Sequence, residues 1–259
     1  EKLNNKTTDR CRILRLGCLL SLDKEEEFKK NLLEIAKNNI CSAEVGGMEE
    51  HAKFIYKTSL KSTYCDGAKK YIYIDKINQD ELSEDNFTQL IAHIKKETTQ
   101  TRSQIILKGG VQTSGNLFSL NYPYINAMKK ALTQKINDYR SKFRESNEGF
   151  IKNWPKEYYL SAWMISMKKG GYLQPHNHGY GWITGSFYLQ VPKANDESGN
   201  LAFSYEGPKY PNKNKKFTTF IQNVNARDIC IFPSSLFHHT IPFQSKEDRI
   251  CFVFDLRKR

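Results

Sequence analysis

The chain has 259 residues, of which 39% are hydrophobic, and it carries a formal net charge of +12. This composition excludes a predominantly disordered chain and suits one large domain, or a main domain with a small helical one. The six cysteines lie far apart without C-x-x-C spacing, and no apolar run approaches the roughly 20 residues of a membrane span. We therefore expect a reduced, cytoplasmic protein with no signal peptide and no membrane partner.

The positive charge is spread along the whole chain. Lysines often stand beside glutamate or asparagine, as in DKEEEFKKN, and no zinc-finger, RRM or helix-turn-helix pattern accompanies them. Nucleic-acid ligands are usually marked by clustered basic residues. We therefore predict that nucleic acid is not the main ligand.

Helical periodicity dominates the first part of the chain. Apolar residues recur at helical spacing from Arg10 to Asn39, and the acidic residues from Asp23 onward suit a helix start, so we predict two or three helices by Ser62. Further helices are predicted over DNFTQLIAHIKKET and YINAMKKALTQKINDYRSKF. The apolar face of the latter consists of Ile125, Met128, Leu132, Ile136 and Tyr139.

Two features of the helical part have no assigned chemistry. The segment KGGVQTSGNLF is rich in glycine, and we predict a loop that either contacts a substrate or simply joins two helical segments. We expect His51 and His93 to be surface residues of helices.

After about Tyr158 the pattern changes to short strands. Glycine, proline, asparagine and aspartate separate LSAWMISM, GWITGSFYLQV, NLAFSY, FTTFIQN, DICIF, LFHHTIPF and RICFVFDL. Seven or eight strands without intervening helices predict a sandwich or barrel, supported by the N-terminal helices. Cys230 and Cys251 lie in apolar runs and are predicted to be buried packing residues.

Four of the six histidines form two clusters, His176 with His178 and His238 with His239. Alternate residues of a strand point the same way, so His176 and His178 can face one cavity. One histidine of the second cluster would complete a three-ligand metal site with positions open for a substrate. Alternatively, the H-x-H pair is two solvated loop residues.

The strand GWITGSFYLQV gives a second signal. Its polar face carries Trp182, Thr184, Ser186 and Tyr188, and Arg249 follows His238 by eleven residues. A barrel interior of hydroxyl groups and an aromatic ring, beside a metal and an arginine, suits a small dicarboxylate. The alternative is an ordinary strand whose polar face lies in water.

Aromatic residues on this strand and on the strands before it suggest a substrate pocket. We expect Trp182, Tyr172 and Trp163 to wall it, with core packing as the alternative for Trp163.

The joint order of the motifs is more specific than any one of them. The H-x-H pair is followed by TGSFYL, SGNLAF, FPSSLFH, a histidine four residues before Pro242, and Arg249 in DRICFVFDL, while TYCDGAKKYIYI and GGVQTSGNLF stand upstream. This order resembles the 2-oxoglutarate- and Fe(II)-dependent oxygenases over residues 64–256. The most similar group is bacterial, with this domain placed after tetratricopeptide repeats.

The resemblance implies a fold and a domain division. The fold class would be α+β, a double-stranded β-helix of the jelly-roll or cupin type supported by N-terminal helices. Residues 1–63 would form a helical segment, which can be the end of a helical repeat region. Residues 64–259 would form the oxygenase domain, with its β-barrel core starting at about residue 158.

The resemblance also implies a ligand set. By motif position, His176, His178 and His238 would hold Fe(II), and His238 is preferred to His239 because Pro242 lies four residues beyond it. Arg249 would pair with the distal carboxylate of the cosubstrate 2-oxoglutarate, and O2 would be the second cosubstrate. The other residues expected to bind 2-oxoglutarate are Thr184, Ser186 and Tyr188.

One position departs from the commonest form of this enzyme class, which has aspartate or glutamate where this chain has His178. Either the centre has three histidines, or His178 lies behind it and a carboxylate from elsewhere completes it. The nearest downstream carboxylates, Asp196 and Glu197, are expected to be solvated.

The predicted function is a dioxygenase that hydroxylates a C–H bond of a peptide or protein side chain, or of a small molecule. A first alternative is a cupin-like lyase or isomerase that uses a divalent metal as a Lewis acid, which has no general need for Arg249. A second is a non-catalytic protein-binding module on the same fold, which the departure at His178 leaves open.

Overall fold

The computed structural model describes residues 2–96, 101–102, 104–193 and 196–259, with side chains from residue 8 onward. The helices are α1 (Lys2–Ser21), α2 (Glu25–Lys37), α3 (Ala43–Tyr56), α4 (Glu84–Lys96), α5 (Pro123–Lys142) and the short α6 (Gly149–Lys152). The strands are β1 (Tyr73–Lys76), β2 (Thr101–Arg102), β3 (Leu107–Thr113), β4 (Tyr158–Leu173), β5 (Ile183–Gln190), β6 (Leu201–Ser204), β7 (Phe220–Gln222), β8 (Asp228–Pro233), β9 (Phe237–Thr240) and β10 (Arg249–Lys258).

The first three helices pack on one another, as the periodicity predicts. Three glutamates in the first turn of α2 favour its start, and the Ser42 hydroxyl caps α3 by accepting from the Val45 amide at 3.2 Å. Their apolar faces form a cluster that also takes in Phe217 from the barrel side. The helices therefore contact a segment about 160 residues further along the chain.

Helices α4 and α5 cover the outer face of the larger sheet. The five residues predicted for the apolar face of α5 are all buried, and Pro123 occupies the first turn of α5, where its missing N–H costs nothing. On α4, the Phe87 ring meets Phe187 of β5 edge to face, with 6.0 Å between ring centroids. Both predicted helices are confirmed, except that Glu97 and Thr98 lie outside the described residues.

Two antiparallel sheets form the barrel. The larger has the strand order β1-β8-β5-β10-β4-β3-β2, and the smaller has the order β7-β6-β9. The seven strands predicted after Tyr158 are confirmed as β4 to β10. Phe203 of β6 packs on Phe232 of β8, with 4.9 Å between the ring centroids, so side chains of the two sheets meet in one core.

The glycine-rich segment is not a loop joining two helices. Residues 107–113 form β3, which pairs with β4, and the register shifts between Lys108 and Gly110. Gly109 has a φ of +62°, and a Cβ atom there would lie 3.0 Å from the Gly171 Cα. The glycines allow the register shift and the close approach of two strands. Sequence periodicity did not predict this strand.

Two further expectations meet different outcomes. Cys230 and Cys251 are buried, as predicted, but His51 and His93 are 0% and 6% exposed, so their placement at the surface was wrong. Both histidine rings are hydrogen-bonded, which allows their burial. Within the described part of the chain, no helix combines the length and apolarity that crossing a membrane requires.

Candidate metal centre

Three histidine side chains meet where the two sheets come together. His176 and His178 lie in the extended segment after β4, and His238 lies on β9. Backbone hydrogen bonds between His176 and His238 join the two segments, at 3.0 and 2.8 Å. One ring nitrogen of each histidine lies within 4.8 Å of those of the other two. The two histidine clusters of the sequence thus converge, as a three-ligand site requires.

The Nδ1 atom of each ring already has a partner. His176 Nδ1 lies 2.8 Å from the Gln174 carbonyl oxygen, and His238 Nδ1 lies 3.1 Å from the Leu236 carbonyl oxygen. A carbonyl oxygen only accepts, so both Nδ1 atoms carry the proton and donate. The Nε2 atoms are therefore left with a lone pair, which is the state that a metal ion requires.

Burial keeps these rings neutral. It lowers the pKa of His176 to about 3, and the adjacent His178 contributes to this shift. Burial, together with His176 and His178, also lowers the pKa of His238 well below its ordinary value. A divalent cation therefore competes with few protons for these nitrogens at neutral pH.

The third ring is held by a carboxylate that the sequence reasoning missed. His178 Nδ1 lies 2.6 Å from an Asp255 carboxylate oxygen on β10, and Asp255 is 1% exposed. Burial alone would raise the pKa of Asp255, but His178 and the Arg257 guanidinium hold it below its ordinary value. A carboxylate in this position orients the imidazole and increases its basicity toward a metal.

The sequence does contain a signal for Asp255. It is the acidic residue of the otherwise apolar run RICFVFDL, and period-two alternation places it on the same face of β10 as Arg249. Asp196 and Glu197, the carboxylates considered from the sequence, are exposed as expected. A lone carboxylate on the inner face of a buried strand, such as Asp255, was therefore the better candidate for a carboxylate that contacts the histidines.

The Thr184 side chain contacts Asp255 and does not line the inner cavity described below. Its hydroxyl donates to the Asp255 carboxylate at 2.8 Å and lies 2.7 Å from the Ser234 hydroxyl. The expectation that Thr184 contacts 2-oxoglutarate is thus corrected, because its side chain lies behind His178. On the opposite side, the Trp163 ring stacks on His178 with 5.6 Å between centroids.

A small inner cavity of about 40 Å³ joins the histidines to Arg249. Ser186 and Tyr188 of β5 also line this cavity, as the alternation of β5 predicts. Arg249 is 2% exposed, and its Nε donates to the Gly199 carbonyl at 2.7 Å. Among the described residues, no carboxylate lies within salt-bridge distance of its guanidinium. The cavity therefore contains a buried positive charge without a negative partner.

Tyr188 adds an unsatisfied polar atom to the same cavity. Its hydroxyl makes no hydrogen bond of regular geometry with any described residue, and the Arg249 guanidinium lies 5.1 Å from its ring centroid. Burial raises the pKa of Tyr188 well above its ordinary value, so the hydroxyl keeps its proton. It is available to donate to an anionic group placed beside Arg249.

A larger cleft of about 1040 Å³ opens on the other side of the histidines. His176, His178 and Trp163 line it, and they also line the inner cavity, so the two spaces meet at the metal centre. Trp182 and Tyr172 do not line the cleft, contrary to the prediction. Trp182 is 6% exposed and donates from its ring nitrogen to the Phe150 carbonyl, so it belongs to the core.

Comparisons with known proteins bear on the barrel. Residues 161–255 match the family model described as "Putative 2OG-Fe(II) oxygenase". No curated protein sequence matches the chain. The non-heme alpha ketoglutarate dependent carbocyclase SnoK from nogalamycin biosynthesis has 12% identity and a TM-score of 0.52, over 75% of this chain and 84% of its own.

Two other solved structures are similar at lower scores. A prolyl-4-hydroxylase from Pseudomonas putida has 10% identity and a TM-score of 0.49, over 73% of this chain and 92% of its own. HygX from Streptomyces hygroscopicus, with nickel, 2-oxoglutarate and hygromycin B bound, has 11% identity and a TM-score of 0.49, over 72% and 82%.

These findings show the fold and a family likeness over residues 161–255. The likeness to the carbocyclase confirms the predicted α+β class and its double-stranded β-helix. The family match spans His176, His178, His238 and Arg249, the residues on which the predicted resemblance depends. The description of that family names 2-oxoglutarate and Fe(II), which are two of the three molecules expected from the sequence. Residues 161–255 are thus similar to the 2OG-Fe(II) oxygenase family, as the order of motifs in the sequence predicts.

Proposed function

We propose that His176, His178 and His238 bind Fe(II), that Arg249 binds 2-oxoglutarate, and that the enzyme hydroxylates a C–H bond of a peptide held in the large cleft. The observation that carries this proposal is the buried guanidinium of Arg249, without a carboxylate partner, in a cavity lined by the three histidines. An unpaired buried charge costs several kcal/mol, so an anion is expected there.

The groups around the inner cavity fit a small dicarboxylate. One carboxylate would lie against Arg249 and accept from the Tyr188 hydroxyl, with Ser186 beside it. The other end of the molecule would then reach toward the histidines. Guanidinium and carboxylate pair through two parallel hydrogen bonds, which fixes the orientation as well as the affinity.

The donor set also fits the metal. Three imidazoles suit a divalent first-row ion and leave half of an octahedral coordination sphere open, and burial keeps those of His176 and His238 neutral. When bound, Fe(II) supplies the oxidising chemistry, in which O2 and 2-oxoglutarate are converted to succinate, CO2 and one hydroxyl group on the substrate. The chain's own contribution is to hold the ligands, orient the dicarboxylate and exclude water from the buried side.

The position of Asp255 helps to decide between the two alternatives for the centre: three histidine ligands, or a carboxylate ligand with His178 behind it. The carboxylate contacts Nδ1 of His178, which is the pattern of a group that supports a metal ligand from behind. We therefore assign His178 as a ligand and Asp255 as the residue that positions it.

The two alternatives are less well supported. A Lewis-acid lyase at the same histidines gives no role to the buried Arg249 or to the orphaned Tyr188 hydroxyl. A non-catalytic binding module would not need three converging imidazoles, each oriented by its own acceptor.

The large cleft favours an extended, acidic peptide. Its basic residues Arg102 and Lys209 come from different elements, whereas the carboxylates of the described lining are already paired, Glu44 with Arg10 and Asp255 with Arg257. Side-chain amides along the cleft can bond to the N–H and C=O groups of a peptide backbone. These amides belong to Gln104, Gln112, Gln174 and Asn177. With a net charge of +12, the protein would attract such a substrate over a distance.

The metal assignment predicts a selective loss of binding. His176→Ala and His238→Ala should abolish the binding of about one Mn(II) or Ni(II) ion per chain, because each removes a ligand. His239→Ala is the matched control and should bind normally. Isothermal titration calorimetry measures this, and undiminished binding in the first two variants would rule out the assignment. His178→Ala with full affinity would place His178 behind the centre.

The role of Asp255 predicts an intermediate effect. Asp255→Asn should weaken metal binding by about 10- to 100-fold, because His178 loses its charged acceptor. Asp228→Asn, a second buried carboxylate in a barrel strand away from the histidines, is the control. If the interaction runs through His178, adding Asp255→Asn to His178→Ala should cause little further loss in calorimetry. Fully additive losses of metal affinity in the double variant would show that Asp255 does not act through His178.

The role of Arg249 is testable without the substrate. Arg249→Lys should raise the KM for 2-oxoglutarate by about tenfold or more, because an ammonium cannot form two parallel hydrogen bonds, and Arg249→Ala should nearly remove turnover. Succinate released in the presence of Fe(II) is the readout. Arg227→Lys, in which the arginine holds backbone carbonyls elsewhere, is the control. Absence of succinate with the unaltered protein, under all conditions, would favour the alternatives.

The peptide proposal predicts which molecules gain oxygen. After incubation of a proteome extract with the enzyme, Fe(II) and 2-oxoglutarate, mass spectrometry should find acidic peptides that are heavier by one oxygen. Lys209→Glu should lower this yield by about tenfold through charge repulsion, and Lys156→Glu, outside the cleft, should not. Oxygen gain by small molecules alone would contradict the peptide proposal.

A further inference from the structure

One wall of the large cleft is a loop without sheet hydrogen bonds of its own. Residues 205–219 connect β6 to β7, and we call them the β6–β7 loop. Pro208, Lys209 and Tyr210 of this loop line the cleft. A loop of this length keeps a fixed position only if other parts of the molecule hold it.

The buried ring of His51 on α3 holds this loop by its backbone. The Gly207 amide donates to His51 Nδ1 at 3.0 Å, and the Pro211 carbonyl oxygen lies 3.1 Å from Nε2. Since an amide only donates and a carbonyl only accepts, the ring is neutral and carries its proton on Nε2. The two bonds lie on either side of the three residues that line the cleft.

Ring packing reinforces the two hydrogen bonds. His51 stacks on Phe217 with 5.0 Å between ring centroids and contacts Tyr210 at 5.4 Å. A Cβ atom at Gly207 would lie 2.5 Å from the Tyr210 ring and 2.9 Å from the ring of Phe237, the neighbour of His238. The loop is therefore confined between α3 and the metal centre.

The same helix reaches a second part of the cleft rim. Gly179, the residue after His178, packs against α3. A Cβ atom at Gly179 would lie 3.1 Å from the Glu44 Cβ. Arg10 of α1 pairs with Glu44 and donates to the Tyr180 hydroxyl at 3.0 Å. Glu44 and Tyr180 both line the cleft. Helices α1 and α3 therefore contribute to two walls of the cleft.

We propose that His51 is a positioning residue that fixes residues 207–211 as a wall of the cleft, so that helix α3 helps to determine which substrates reach the metal centre. The second half of this inference rests on the proposed oxygenase function. Further polar links join the loop to the helical part. At the start of the loop, the Tyr205 hydroxyl accepts from the Lys69 amide at 3.1 Å in an exposed position. Lys213 lies 3.9 Å from Glu25 and forms an ion pair with Asp23 at 3.0 Å, in which the side chains of Lys213 and Asp23 are 33% and 43% exposed. Such an exposed pair contributes little, which leaves His51 as the main attachment.

The first test is hydrogen exchange on the loop. His51→Phe keeps a ring of similar shape but removes both hydrogen bonds, so the amides of residues 205–212 should exchange about tenfold faster. His93→Phe is the matched control, since His93 is equally buried but lies on α4, away from the cleft. His51→Asn, which can still accept from the Gly207 amide, should give an intermediate exchange rate. It replaces His51→Phe as the test variant if His51→Phe does not fold. Unchanged exchange in a folded His51 variant would overturn the proposal.

The second test concerns substrates. His51→Phe should bind Mn(II) and release succinate from 2-oxoglutarate at the normal basal rate, because His51 touches neither. The set of proteome peptides that gain oxygen should change, whereas His93→Phe should leave it unchanged. An identical set, despite a loosened loop, would refute the effect on substrate choice. If the unaltered protein releases no succinate, the oxygenase function fails, and hydrogen exchange alone decides whether His51 fixes the wall.

Discussion

The site depends on the hydrogen bond between the His178 ring and the Asp255 carboxylate. The His178 amide donates to the Ser234 carbonyl at 3.1 Å and its carbonyl accepts from the Gly181 amide at 2.7 Å, but these backbone bonds do not set the rotation of the imidazole about its side-chain bonds. Asp255 lies on β10, which is paired with β4 on one side and with β5 on the other. The hydrogen bond to this central strand therefore holds the His178 ring in a fixed orientation. Thr184 and Arg257 hold the carboxylate in turn, so that a buried negative charge is fully compensated at the metal centre.

β10 carries a second buried charge that is not compensated in the same way. Arg249 stands on the same face as Asp255, six residues earlier, but its guanidinium meets a carbonyl oxygen, a thiol and an aromatic ring. One strand therefore presents a satisfied anion near the histidines and an unsatisfied cation at the far end of the inner cavity. Because of this asymmetry, an anionic ligand is favoured at the Arg249 end of the cavity, and the three histidines lie at its other side.

The sequence was informative where periodicity and chemistry coincide. Runs bounded by glycine, proline, asparagine and aspartate predicted β4 to β10. Alternation along β5 grouped Ser186 with Tyr188, and the order of motifs added Arg249; these three residues line one cavity. Alternation identifies a face but not what lies opposite to it, which is why Thr184 proved to contact Asp255 and Trp182 the core. The strands β1 to β3 were missed because they are short, lie among helices and, in β3, contain glycines. His51 could not be interpreted, since its partners lie about 160 residues away.

The two spaces around the histidines are built from different kinds of structure. Strand residues and the histidines line most of the inner cavity, and strands hold their side chains in positions that depend on the whole sheet. Loops, helix α3 and strand edges line much of the outer cleft. Loops tolerate changes that strands do not, because fewer hydrogen bonds depend on their course. In the proposed function, the chemistry and the choice of substrate could therefore vary separately, provided that His176 and His178, which line both spaces, stay in place.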